Sequence, residues 1–280
     1  MSINYTLADQ IIELSFGKLD KANAKMDFPE TGSLSNHLNG LIAGMGTTSP
    51  ILNHKYSPML ASAGVEMWHR AIHSFLWSIA LTNGSPLWSS VSGYYSSHFV
   101  MRAFAHSMGI FKSFTKKEVI QVIVNNGQFV CSPVGWGKDR GEHEFYWKAV
   151  KEHPKFLSND IFRINNQKDI KSEASHRTFA NYTDHLNSFV PIDFPSPLAV
   201  AETIEKISRI RLGSFPSRED YPDLQNVQIL AFQRIVAYQD FIDEKVYKNR
   251  FWKAHRRPSW CKYLMRYQVE DQSLGQYIHI

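Results

Sequence analysis

The chain has very few cysteines and no long apolar segment. Only Cys131 and Cys261 occur among its 280 residues, which excludes a disulfide framework and leaves too few thiolates for a zinc site built mainly of cysteine. No run approaches the roughly 20 apolar residues of a membrane span, and the first residues form neither a basic leader nor an apolar stretch. We therefore expect a cytoplasmic protein without a membrane segment.

Common catalytic and nucleotide-binding motifs are also absent. The sequence contains no Gly-x-Ser-x-Gly, no Gly-x-x-x-x-Gly-Lys-Ser/Thr and no Gly-x-Gly-x-x-Gly. This excludes the nucleophile elbow of α/β-hydrolases and phosphate-binding loops of those two types. We predict no cofactor and no resident metal.

Positive charge is concentrated near the C-terminus. Between Lys245 and Val269 there are eight Lys or Arg residues and no carboxylate, and without these eight charges the net charge of +5 would become −3. Within this region the cations of Arg250, Lys253, His255, Arg256 and Arg257 alternate with aromatic residues. Cations that neutralise phosphates, with rings on which bases stack, are typical of a surface for single-stranded nucleic acid. The alternative is a solvated helix whose aromatic side chains face the core.

The apolar periodicity predicts a mainly α protein. Apolar residues every three or four positions predict successive helices, with stops at Asn83-Gly84-Ser85-Pro86 and Gly109. The predicted helices run over about 7–16, from 62, 88–110, 142–151, 172–187, from 198, and 224–254. The first two long helices are expected to pack as an antiparallel pair. β-Branched residues on both sides of Asn126-Gly127 predict one inserted β-hairpin.

Three regions follow from this pattern. Residues 1–61 are predicted to be a loop-rich N-terminal lead-in packed on the body, with Gly- and Ser-rich sequence around Thr31-Gly32-Ser33. Residues 62–215 form the predicted up-and-down helical bundle. Residues 216–280 form a long basic and aromatic C-terminal helical region.

Arg102 and His106 are four residues apart on a predicted helix, in register with Tyr95 and Phe99. An always-charged arginine near an imidazole or phenol is what metal-free phosphodiester chemistry requires, because one group binds the phosphate and the other moves a proton. The structural alternative is an arginine that covers apolar surface with its stem and pairs with a carboxylate.

A second such constellation lies at Arg177, Tyr182 and His185. Here the alternative is an arginine at a helix start that pairs with a carboxylate, with Tyr182 half-buried in the core.

A metal site is a further hypothesis. Glu66, His69 and His73 share one stripe of a helix, and Glu173 and His176 repeat the Glu-x-x-His spacing found in di-iron bundles. A metallopeptidase would need His-Glu-x-x-His, which is absent. Core or surface histidines are the alternative interpretation.

Several of these segments together resemble the HEPN superfamily of helical bundles. The likeness is carried by the Ser92-Gly93-Tyr94-Tyr95 helix, the short helix at Gly141-Glu142-His143-Glu144-Phe145, and Arg177-Thr178-Phe179-Ala180-Asn181-Tyr182, and it covers about 62–212. The resemblance implies an up-and-down bundle that is often a homodimer. Many members are metal-independent endoribonucleases of toxin or phage-defence systems, and others bind nucleotides or assist a partner enzyme.

The ribonuclease motif of the family is Arg, four to six residues, then His, usually with a polar residue after the Arg. Its Arg matches Arg177, but Tyr182 stands five positions further on, and His185 lies beyond the motif's spacing. Arg250 and His255 fit the spacing, although they lie outside the resembling region and Phe251 follows the arginine.

The sequence thus predicts a metal-independent endoribonuclease or RNA-binding effector. Its partners would be RNA, a partner or antitoxin protein, and a second copy of the chain. The alternatives are a non-catalytic module that binds protein or nucleic acid, and a metal-dependent helical-bundle enzyme. Arg177, Tyr182 and His185 are the predicted catalytic residues. The predicted RNA contacts are Arg102, His106, Arg250, Lys253, His255, Arg256 and Arg257.

Overall fold

The fold is mainly helical, as predicted, with a small antiparallel sheet. The structure is a computed structural model, and it describes residues 3–17, 31–44, 48–82, 85–112, 119–135, 141–157, 160–162 and 226–246. The helices in these residues are α1 (Tyr5–Gly17), α2 (Thr31–Ala43), α3 (Ser57–Ala80), α4 (Pro86–Ser107), α5 (Glu142–Lys151) and α6 (Asn226–Val246). The strands are β1 (Ile51–Leu52), β2 (Ile110–Lys112), β3 (Val119–Asn125) and β4 (Gln128–Pro133).

The described residues belong to two compact units. The first takes them from Met1–Trp68, Met101–Pro154 and Asp240–His255, and the second takes them from His69–Val100 and Lys155–Gln239. The first unit contains the whole sheet, α1, α2 and α5. The second contains the C-terminal part of α3 and the N-terminal part of α4.

The sheet of the first unit is built around the predicted hairpin. Strands β3 and β4 pair antiparallel, and Asn126 and Gly127 between them have φ of 47° and 75°. Two positive φ angles define the tight turn that Asn-Gly favours. The sheet also has two strands that the sequence did not predict, β1 beside β4 and β2 beside β3, in the order β1-β4-β3-β2.

Gly109 ends α4 and turns the chain into β2. Its φ of 72° is left-handed, and its N–H donates to the carbonyl of His106 at 3.0 Å. A Cβ here would lie 3.1 Å from Cβ of Val122 and 3.2 Å from Cγ2 of Ile11, so glycine is required for both conformation and space. The predicted helix to 110 is therefore too long, because 110–112 pair with β3 instead.

The prediction of a loop around Thr31-Gly32-Ser33 is wrong. Glycine and serine suggested a loop, but Leu34, Leu38 and Ile42 recur every four residues and lie on one face of α2. All three are buried in a core cluster with sheet residues such as Val122 and Phe129. Tertiary burial has overridden the weak local helix propensity. Helix α1 packs against β3, so 3–17 also belongs to this core.

In the second unit, hydrogen bonds hold α3 and α4 antiparallel. Ser78 and Ser89 exchange hydroxyl-to-carbonyl bonds at 2.7 Å, and Ser96 donates to the carbonyl of Ala71 at 2.7 Å. Ala71 lies seven residues before Ser78 on α3, and Ser96 lies seven residues after Ser89 on α4. The two helices therefore run antiparallel, as predicted. From α6, Gln228 Nε2 adds bonds to the Ser78 carbonyl at 3.0 Å and Ser89 Oγ at 2.9 Å.

None of the helices in the described part of the chain has the length and apolar content of a membrane span. The predicted helices over 172–187 and from 198, and the part of the last helix beyond Val246, lie outside the described residues.

Candidate functional site

Two i, i+4 pairs meet in the first unit and form the candidate site. Arg102 and His106 lie one turn apart on α4, and Glu142 and Tyr146 lie one turn apart on α5. Residues with this spacing occupy one face of a helix. We call these four residues together with Lys112 of β2 the arginine cluster.

Arg102 and Glu142 form an ion pair at the edge of this cluster. Nη1 of Arg102 lies 3.1 Å from Oε1 of Glu142, and the two side chains are 19% and 18% exposed. Among the described residues, neither Glu142 Oε1 nor Arg102 Nε has a hydrogen-bond partner, although both atoms are buried. The contact is therefore electrostatic and lacks the two parallel hydrogen bonds of a bidentate arginine–carboxylate pair.

Tyr146 lies between the other members. Its hydroxyl is 3.4 Å from Nε2 of His106 and accepts a hydrogen bond from the backbone N–H of Lys112 at 3.3 Å. The guanidinium carbon of Arg102 lies 5.5 Å from the centre of the Tyr146 ring, within the range of a cation–π contact. The His106 ring stacks on Phe111 with centroids 4.8 Å apart. Tyr146 thus fixes the relative positions of the arginine and the imidazole.

Burial controls the ionisation of the cluster. It raises the pKa of Glu142, and the positive charges of Arg102 and Lys112 only partly offset this. Burial also raises the pKa of Tyr146 to about 12, so the phenol stays protonated at neutral pH. The direction of its hydrogen bond with His106 follows the tautomer of the imidazole.

The exposure of these side chains determines which of them a ligand from solvent can reach. His106 is only 7% exposed and Tyr146 1%, whereas Arg102, Glu142 and Lys112 are partly exposed. The two cations can therefore meet an anion from solvent, while the imidazole and the phenol lie behind them. The arrangement suits recognition of a phosphate with a polar relay behind it.

A second charged cluster of the first unit lies around Asp9. His153 Nε2 donates to Asp9 Oδ1 at 3.3 Å, and Lys245 Nζ lies 3.2 Å from Oδ2. The His153 ring packs edge-on against Tyr5 and Phe241. Burial alone would raise the pKa of Asp9, but the hydrogen bonds from His153 and Lys245 lower it below the usual value. This aspartate cluster ties α1 and α6 to the end of α5.

Two of the predicted site residues lie in the arginine cluster, and the others lie outside the described residues. Arg102 and His106 are the predicted RNA contacts that the structure describes, and it brings both to Tyr146. The other predicted residues lie outside the described part of the chain: Arg177, Tyr182, His185, Arg250, Lys253, His255, Arg256 and Arg257.

Glu66, His69 and His73 of the metal hypothesis lie within the described residues. His73 Nε2 accepts a hydrogen bond from Trp77 Nε1 at 3.0 Å, so this nitrogen is already used. Burial lowers the pKa of His69 to about 4, which keeps its imidazole neutral at pH 7. Glu173 and His176 lie outside the described residues.

A cleft of about 620 Å³ lies between the start of α1 and strands β3 and β4. Its most buried polar group, the amide of Gln121, accepts from the backbone N–H of Asn4 at 3.0 Å and donates to the Asn4 carbonyl at 2.8 Å. The Tyr5 hydroxyl donates to the carbonyl of Ala149 at 2.7 Å. These groups already bind within the protein, so the cleft is a weaker candidate than the arginine cluster.

The sequence did not reveal Glu142, Tyr146 or Lys112 as partners of Arg102. The i, i+4 spacing of Glu142 and Tyr146 on a correctly predicted short helix was a usable signal. Lys112 is not identified because the sequence predicts a helix end at about 110 and no strand after it.

No protein-family model matches the chain, and neither a curated protein nor a solved structure matches it significantly.

Proposed function

We propose that this protein is an RNA-binding effector with metal-independent endoribonuclease activity, built on an HEPN-like up-and-down bundle. The observation that best supports this is the position of Arg102 and His106, one turn apart on α4 and both against Tyr146. A fixed cation that solvent can reach is suited to binding a phosphate of the RNA backbone.

In this proposal the arginine cluster contacts the RNA backbone. Arg102 is charged at every physiological pH and is oriented by the Tyr146 ring, so it loses little freedom when it binds a phosphate. Lys112 adds a second cation, with its Nζ 5.5 Å from the centre of the Phe145 ring. Further cations for the phosphates of the strand would come from the basic residues Arg250, Lys253, His255, Arg256 and Arg257.

Cleavage is assigned to Arg177 with Tyr182 or His185, on the resemblance alone. Arg177 would hold the scissile phosphate while the 2′-hydroxyl attacks phosphorus and gives its proton to the imidazole or to water. The 5′-oxygen then leaves with a proton returned by the protonated imidazole or by water, so the products are a 2′,3′-cyclic phosphate and a 5′-hydroxyl. The same resemblance supports a toxin or phage-defence role, a homodimer, and a partner protein that restrains activity.

The test is incubation of the full chain with mixed structured and single-stranded RNA in EDTA. We expect cleavage that ends in cyclic phosphate, that Arg177→Ala abolishes, and that Arg102→Ala weakens mainly through a higher KM. Arg70→Ala is the matched control, because it removes one positive charge from an exposed position of α3. RNA left intact by folded protein, with and without added metal, contradicts the enzyme proposal.

A non-catalytic module that binds RNA or a partner protein is the second candidate. The burial of His106 and Tyr146 favours it, since a buried imidazole has little access to a bound strand. This candidate predicts salt-dependent RNA binding without turnover, and charge reversal at Arg256 and Arg257 should lower both the affinity and the salt slope. Unchanged affinity in that variant would remove the C-terminal region from the interface.

A further inference from the structure

Arg102, the proposed RNA contact, is already paired with a carboxylate of the protein. The Glu142 carboxylate lies 3.1 Å from Nη1 of Arg102, where the oxygen of a bound phosphate would lie. Carboxylates and phosphates use the same planar donors of a guanidinium. Any phosphate that binds Arg102 must therefore share it with Glu142 or displace it.

The Arg102–Glu142 contact is poorly satisfied, which makes exchange favourable. In the described residues, Glu142 Oε1 and Arg102 Nε are both buried without a hydrogen bond. A buried polar atom left in this way costs free energy that a better-placed ligand can recover. A phosphate offers several acceptor oxygens and more negative charge, so it can accept from both parallel N–H groups of one guanidinium edge.

We propose that Glu142 is an internal competitor for the RNA phosphate at Arg102, which its carboxylate occupies in the free protein and leaves when RNA binds. This inference rests on the proposed RNA-binding function of the arginine cluster. Displacement leaves Arg102 and Lys112 as two cations facing the phosphate. Because Glu142 is 18% exposed, its carboxylate can turn into solvent.

The raised pKa of Glu142 also favours displacement of its carboxylate by a phosphate. Within the first unit, the groups that face it are Arg102 from α4, Lys112 from β2, and His143 and Tyr146 from its own helix. Burial raises the pKa of Glu142 despite both cations, so acid removes the competing charge before ordinary glutamates are protonated. The protein should therefore bind phosphate more tightly as the pH falls toward that pKa.

The experiment compares wild type with Glu142→Gln, and uses Glu144→Gln as the control because it removes the same charge from an exposed position of α5. The probes are a fluorescent single-stranded RNA, in EDTA and without turnover, and inorganic phosphate titrated by calorimetry. We expect Glu142→Gln to bind both probes about 3- to 10-fold more tightly than Glu144→Gln. The gain should vanish in an Arg102→Ala background, and the wild-type affinity should depend on pH more than that of Glu142→Gln.

Two results would overturn the inference: Glu142→Gln that binds no more tightly than Glu144→Gln, or a gain that persists without Arg102. If no form of the protein binds RNA, the proposed function fails, and the phosphate titration then decides on Glu142 alone. Tighter phosphate binding by Glu142→Gln would support the inference that Glu142 is an internal competitor. Equal or absent phosphate binding would contradict it.

Discussion

Asp9 and Glu142 are two partly exposed carboxylates of the first unit whose pKa values move in opposite directions. Asp9 is 28% exposed and Glu142 18%, so both are partly buried and the opposite pKa shifts need another cause. Asp9 is bound at both oxygens, by His153 and by Lys245. Within the described residues, Glu142 has one ion-pair contact, with Arg102, and its Oε1 has no hydrogen bond.

The difference follows from hydrogen bonding, because the side-chain hydrogen bonds that lower the pKa of Asp9 have no counterpart among the causes that act on Glu142. Both have cations beside them, but only Asp9 gains enough to outweigh the cost of burial. Asp9 therefore acts as a fixed structural link between α1, the end of α5 and α6. Glu142 is held weakly, and an internal competitor must be held weakly to be displaced.

The largest effect is expected from Asp9→Asn. The amide keeps the shape but removes the charge, which leaves the partly exposed Lys245 without its counter-ion and weakens the hydrogen bond from the buried His153. We expect the free energy of unfolding to fall by about 2 kcal/mol at pH 7, measured by urea denaturation. Since the pKa of Asp9 is lowered in the folded state, its contribution is present above the unfolded pKa. It is lost as the pH falls through the folded pKa, so the variant should be less sensitive to acid.

Glu13→Gln is the control for this substitution, because Glu13 is an exposed carboxylate on the same helix. A loss in Asp9→Asn no greater than in Glu13→Gln would show that the aspartate cluster is not a structural link.

Local signals made much of the fold predictable, and long-range pairing made the rest unpredictable. The Asn126-Gly127 turn and the helix over 142–151 follow from neighbouring residues, and the structure has both. Strands β1 and β2 have two and three residues, too short for any periodicity to appear. They form because β3 and β4 offer free edges, which the sequence does not display.

The same limit applies to the site. The spacing of Arg102 and His106 was visible in the sequence, and so was the expectation that Arg102 pairs with a carboxylate. The identity of that carboxylate was not, because Glu142 lies on another helix and is brought to Arg102 by tertiary packing. The turn at Gly109 leads into β2 and so brings the Lys112 N–H to the Tyr146 hydroxyl. The sequence predicts only a helix end at this turn and no strand after it.

A smaller effect is expected from Tyr146→Phe. The change removes the hydroxyl that accepts from the Lys112 N–H and contacts His106, and it leaves the ring under Arg102. We expect a loss of about 1 kcal/mol in unfolding free energy, together with changed NMR chemical shifts of the His106 ring nitrogens. Tyr5→Phe is the matched control in the aspartate cluster, and it should lower stability without changing those shifts. Unchanged shifts of the His106 ring nitrogens in Tyr146→Phe would show that the hydroxyl and the imidazole do not interact.

The smallest change in stability is expected from Glu142→Gln. Because the pKa of Glu142 is raised in the folded state, its stabilising contribution is complete below the unfolded pKa. It decreases as the pH rises through the folded pKa. The amide removes this cost, so at pH 7 the variant should unfold at an equal or slightly higher free energy, within about 0.5 kcal/mol of wild type. Urea denaturation at pH 3 to 8, a range that extends below the ordinary aspartate pKa, should then show opposite changes of pH slope in Glu142→Gln and Asp9→Asn. Changes of the same sign would contradict the opposite pKa shifts of the two carboxylates.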